Sequence, residues 1–133
     1  MADTVAFELV SPERLLLSRA VEMVVVPGSE GYFGVLPGHA PLVSTLNPGV
    51  IDVYEGGAIG DRIFVGGGFA EVTPERCTVL ADEAVAVKDI DRSAVESGLK
   101  KLRDDLAEAK TDGERTAVEA RIAVAEAKLA AAA

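Results

Sequence analysis

His39 lies between a glycine and an alanine in the stretch Pro37-Gly38-His39-Ala40-Pro41, and it is the only histidine among 133 residues. Nucleophilic catalysis of the common kind would use it as base beside a serine or cysteine. Ser29 and Ser44 are the nearby hydroxyls, and neither sits in the sharp strand-to-helix turn that exposes a nucleophile. The stretch therefore reads as a shaped turn at a surface or an interface. One histidine with scattered carboxylates is also no metal ligand set. The single cysteine, Cys77, allows neither an internal disulfide nor a multi-cysteine zinc site. Within Cys77-Thr78-Val79-Leu80 it reads as a small apolar residue of a strand core, which suits a reducing compartment.

The glycine clusters invite a phosphate-binding reading, and their context refuses it. No lysine follows Gly66-Gly67-Gly68-Phe69, and the next residues have strand rather than helix character. A bulge or tight turn where two backbones approach closely is the better account. Gly28-Ser29-Glu30-Gly31 fails the same test. Glu71, Asp82 and Glu83 show no spacing that pairs them for acid–base work. No catalytic residue, metal or cofactor is expected.

The elements that carry these residues fall into two halves. From Val5 to about Val87 the apolar period is two, interrupted by turn residues. Val5-Ala6-Phe7-Glu8-Leu9 alternates and is turned by Ser11-Pro12-Glu13. Val21-Glu22-Met23 starts a second run that becomes fully apolar before Pro27-Gly28. Val50 to Tyr54 and Arg62 to Val65 flank Gly56-Gly57 as a hairpin, and Phe69 to Thr73 with Cys77 to Ala81 form another. Short strands without crossover helices predict a sandwich of nine or ten strands in two packed sheets over residues 1–88.

After Lys88 the period changes to that of a helix. Val95, Leu99, Leu102, Leu106 and Ala109 make a narrow stripe, and Val118, Ile122, Ala125 and Leu129 a second one. Ser93 with Glu96 offers a capping box, with Asp91 as the rival cap, and Thr111 with Glu114 offers another. The spacing predicts an antiparallel two-helix hairpin over 89–133, joined by an Asp112-Gly113 turn. Alanine fills much of the second stripe, so docking of the hairpin on the sandwich is expected to be marginal and the hairpin mobile.

Net charge is −9. Residues 1–88 hold 12 acids and 5 bases, and the remainder holds 10 and 8. This balance argues against a nucleic acid or an anionic membrane surface as partner. The apolar runs are far shorter than the ~20 residues of a membrane helix, and Ala2-Asp3-Thr4 offers no basic flank for a secretory signal. Apolar residues held in a glycine-proline segment, beside a loosely docked hairpin, describe an assembly component.

Specific blocks then narrow the choice. Phe7-Glu8-Leu9-Val10-Ser11-Pro12-Glu13, VVVPGSEGYFGVLPGHAPLVSTLNPGV, GGGFAEVTPERCTVLADEA and DIDRSAVESGLKKL together resemble the epsilon subunit of the bacterial ATP synthase, called delta in mitochondria. The resemblance runs nearly end to end. It implies a ten-stranded β-sandwich with a C-terminal helical hairpin, and a subunit that catalyses nothing itself. It also implies a peripheral place on the cytoplasmic face of the bacterial inner membrane. There the subunit would grip the gamma subunit and the c-subunit ring and couple proton passage to ATP synthesis. The hairpin could extend into the alpha/beta catalytic head and inhibit ATP hydrolysis. An adaptor subunit of another complex is the alternative that composition alone allows.

By the same resemblance the segment holding Glu30, Tyr32, Pro37, Gly38, His39, Ala40 and Pro41 would face the polar loops of the c-ring. Gly67, Gly68, Phe69 and Glu71 belong to its second motif. Two departures qualify the match. Tyr32 stands where many members carry an acid. Some members also bind ATP through an Ile/Leu-Asp-x-x-Arg-Ala motif, which begins here at Ile90-Asp91 but has Ala94 and Val95 in place of Arg-Ala. Nucleotide binding of that kind is not expected.

Overall fold

The computed structural model describes residues 3–132. Alternation in Val5–Val10, strand β1, puts Val5, Phe7 and Leu9 inside with at most 1% of their surface exposed. β2 (Leu15–Val21) pairs with it antiparallel, and β9 (Arg76–Ala81) pairs with its other edge in parallel. β3 (Met23–Gly28) turns through Ser29-Glu30 directly into β4 (Gly31–Val35). β5 (Leu42–Leu46), β6 (Gly49–Glu55), β7 (Ala58–Val65), β8 (Gly68–Val72) and β10 (Ala84–Ala86) complete the set.

These ten strands form one continuous ladder in the order β10-β7-β6-β3-β5-β8-β9-β1-β2, with β4 paired to β3. The ladder folds over a single core. Val24, Val26, Val35, Ile51, Val53, Val65, Val72, Cys77 and Val79 join the inward residues of β1 there, all buried. Each such side chain contributes roughly 1.5–3 kcal/mol when taken fully out of water. The sandwich is therefore present, but its layers are parts of one folded sheet.

Two strands depart from the sequence expectation. β2 begins with three consecutive leucines, which give no alternation to read. β4 occupies what reads as a punctuated loop, yet every one of its residues has a partner on β3, from Val24↔Val35 to Gly28↔Gly31. The Gly56-Gly57 and Thr73–Arg76 hairpins stand as expected.

Helix α1 (Arg92–Glu108) starts at Asp91, whose carboxylate accepts from the Ala94 N–H at 3.2 Å. Ser93 lies inside the helix and is not the cap. Helix α2 (Asp112–Ala132) starts after Thr111, whose hydroxyl accepts from the Glu114 N–H at 3.1 Å. Glu114 reaches back to accept from the Lys110 N–H at 2.9 Å, so the second capping box forms one residue wider than usual. The link between the helices is thus Ala109-Lys110-Thr111. Asp112 and Gly113 belong to the first turn of α2, where Asp112 and Glu114 suit the positive end of the helix dipole.

Of the α1 stripe only Leu99 is buried, and α2 buries no residue fully. The hairpin nonetheless covers something. Val50 on β6 and Phe64 on β7 are cross-strand partners on the outer face of the sheet, and Phe64 is wholly buried there outside the sandwich core.

Candidate functional site

The sequence-predicted site residues occupy both ends and one face of the sandwich. Glu30 is at the tip of the two-residue β3–β4 turn and is exposed. The turn is held from below: the Ser29 N–H donates to Thr45 O and the Asn47 N–H to Pro27 O, at 2.9 and 2.8 Å. The Asn47 amide also donates to Gly28 O at 3.4 Å. Such bracing keeps a charged tip projecting without fraying.

Tyr32 lies on the same end, 62% exposed. Its hydroxyl accepts a long hydrogen bond, 3.5 Å, from the Val50 N–H. With Pro48 and Gly49 it borders a cleft closed by Ala127, Ala130 and Ala131 of α2.

Pro37, Gly38, His39, Ala40 and Pro41 lie at the opposite end. The Gly38 N–H donates to Pro74 O at 2.7 Å, tying this turn to the β8–β9 turn, and the His39 N–H donates to Leu36 O at 3.1 Å. The imidazole sits 6.4 Å from the Phe33 ring, and its Nδ1–H donates to Ala40 O at 2.7 Å. β4 runs between Glu30 and this turn, a separation of about 15 Å at ~3.3 Å per residue. The structure therefore does not bring Glu30 and His39 together, and the segment is a strand spanning the sandwich rather than a loop at one end.

Gly67 and Gly68 make the close backbone approach that their run predicts. The Gly66 N–H donates to Glu83 O and the Asp82 N–H to Gly67 O, both at 3.0 Å. Gly68 has φ +131°, and a β-carbon on it would fall onto the Leu80 carbonyl. Phe69 and Glu71 point outward on β8. Phe69 is 41% exposed and faces Thr45 on one side and Leu80 on the other. Leu80 faces Val10, and Val10 faces Leu15. An apolar row thus crosses β8, β9, β1 and β2 on the bare outer face. Val43, beside Glu71, is the most exposed apolar residue near it, at 66%.

Sequence reasoning found Phe69 but not its neighbours in that row. Leu15 and Leu80 become significant only through the parallel pairing of β1 with β9, two strands far apart in sequence. Ala94 and Val95 lie in the first turns of α1, and Arg92 there pairs with Glu96 at 3.8 Å. Among the described residues no three His, Cys, Asp or Glu side chains group as a metal site. No described helix is long and apolar enough to cross a membrane. Burial pushes the Cys77 thiol up to about 12.

Comparison with known proteins adds independent information. The family described as the beta-sandwich domain of the ATP synthase Delta/Epsilon chain matches residues 4–87. The family described as the C-terminal domain of the ATP synthase epsilon chain matches residues 91–133. The protein is 56% identical to the ATP synthase epsilon chain of Rhodospirillum rubrum over 131 residues, 98% of either sequence. It is 54% identical to that of Rhodospirillum centenum, covering 97% of this sequence and 92% of the relative. A cryo-EM structure of the Euglena gracilis mitochondrial ATP synthase contains a subunit that superposes with a TM-score of 0.83 at 26% identity. That match covers 98% of this protein and 82% of the other.

Proposed function

The chain belongs to the delta/epsilon family of ATP synthase, and from that premise we propose that it is a rotor component of the central stalk, without catalysis of its own. It grips the gamma subunit and the c-subunit ring, and turns with them as proton passage drives ATP synthesis. One observation carries the gamma contact: the row Phe69–Leu80–Val10–Leu15 lies bare on one outer face while the other is covered by the hairpin. A contiguous apolar row on a soluble protein marks a docking surface. Phe69 supplies the aromatic anchor such contacts favour.

The turn at Pro37–Pro41 leads into the same face through Val43, which pairs with the outward Glu71, so His39 belongs with the gamma contact in this proposal. Glu30 and Tyr32, at the other end, are proposed to meet the polar loops of the c-ring. The subunit then sits peripherally at the cytoplasmic face of the bacterial membrane. The hairpin, released from the sandwich, is proposed to reach the alpha/beta head and slow ATP hydrolysis.

The gamma contact is tested by affinity for purified gamma after Phe69→Glu and Leu80→Glu. A buried unpaired carboxylate at either position is expected to weaken binding at least tenfold. Wild-type affinity in folded variants would rule out the bare face as the gamma contact.

A further inference from the structure

The contact between hairpin and sandwich has an unusual distribution of chemistry. On the sheet side it is apolar, Val50 and Phe64, with Val85 next to Phe64 on β10. On the helix side α2 presents chiefly alanine, with no fully buried side chain to lock into the sheet. Among the described residues one ion pair joins the two parts. Lys128 Nζ lies 2.8 Å from Glu83 Oε2, and the same ammonium stands 5.7 Å from the centre of the buried Phe64 ring.

We propose that Lys128 is the latch of the hairpin, closing it through Glu83 and the face of Phe64 together. This rests on the packing alone and not on the stalk reading. The ammonium finds a carboxylate at the rim and the Phe64 ring face beneath it. Glu83 is placed for this by Gly66. A β-carbon there would come 2.5 Å from Glu83 Cγ and 2.9 Å from its Oε1, so a side chain at position 66 pushes the glutamate out of its present position over the end of β7. The pair is partly exposed, with 21% of the lysine and 47% of the glutamate side chain open to solvent. Partly screened interactions of this kind are individually weak, which makes the latch reversible. Releasing it frees α2 from the sheet and uncovers Val50 and Phe64.

Hydrogen exchange of the α2 amides in the full-length protein tests this. Lys128→Glu, Glu83→Lys and Gly66→Ala are each expected to speed exchange over Val118–Leu129 about five- to tenfold. The double variant Lys128→Glu with Glu83→Lys is expected to recover part of the difference and to stay faster than the parent, since it restores the ion pair with its sign reversed but sets a carboxylate over the Phe64 ring. Lys100→Glu, an exposed position on α1, makes the same charge change and is expected to have no effect. Unchanged exchange in the single variants overturns the proposal. So does a double variant no slower than the singles, or a Lys100→Glu effect equal to that of Lys128→Glu.

Discussion

The Tyr32 hydroxyl stands 2.7 Å from where a β-carbon on Gly49 would lie, so the tyrosine occupies space that only glycine leaves open. Pro27 crowds the same point at 2.9 Å. Gly49→Ala is therefore expected to displace Tyr32 and to cost about 1–3 kcal/mol, as overpacking typically does. Tyr32→Phe alone is expected to change little, because its bond from Val50 is long and the ring is largely exposed. In the Gly49→Ala background it should recover part of the loss, leaving the Pro27 contact. Thermal melts of the four variants check this as a cycle.

Asp91 and Ser93 compete in the sequence as caps of α1, and they separate cleanly by mutation. Asp91→Ala removes the acceptor of the Ala94 N–H and is expected to cost about 0.5–2 kcal/mol of hairpin stability. Ser93→Ala is expected to stay within about 0.5 kcal/mol of the parent. Amide exchange over Arg92–Val95 distinguishes the two; equal effects would contradict the cap assignment.

A protein truncated after Lys88 is expected to fold, because the core shared by β1 to β9 contains no helical residue. It gives up the cover on Phe64, worth roughly 1.5–3 kcal/mol. A cooperative melt at lower temperature than the full-length protein, with a β-type circular dichroism spectrum, is the expected result. A non-cooperative melt would contradict an independent sandwich.

Cys77 gives a pH signature. Its thiol stays protonated in the fold up to about 12, through burial, whereas the unfolded thiol ionises near 9.0. The native state then binds more protons than the unfolded state between these values, so stability contributed by Cys77 is complete below pH 9 and falls as pH rises toward 12. The loss is about 1.4 kcal/mol per pH unit in that window. Cys77→Ala should flatten this part of the stability curve, and native Cys77 should resist alkylation at about pH 8 until the protein is denatured.

How much of this is legible in the sequence depends on how local the cause is. Hairpins at Gly56-Gly57 and Thr73–Arg76 announce themselves because both strands and the turn between them are close neighbours in sequence. β4 does not, since Gly31 and Gly34 argue against a strand and only pairing along the whole of β3 makes it one. The turn between the helices is displaced by one capping choice: Thr111 captures Glu114, so Asp112-Gly113 enters the helix. Glu30 and His39 look adjacent in sequence, but an extended strand carries them to opposite ends. Lys128 and Glu83 are 45 residues apart and meet only because α2 lies along the sheet.

If this subunit turns with gamma as part of the rotor, a covalent tether between the two measures that directly. Val43→Cys, on the rim of the bare face, offers an exposed thiol while Cys77 stays buried. In the assembled enzyme it would be joined to gamma through a short photoreactive cross-linker, and ATP synthesis measured in energised vesicles. An efficient cross-link to gamma with synthesis at the untethered rate is the predicted result, because the joined parts move as one. A tether to gamma that arrests synthesis would contradict it.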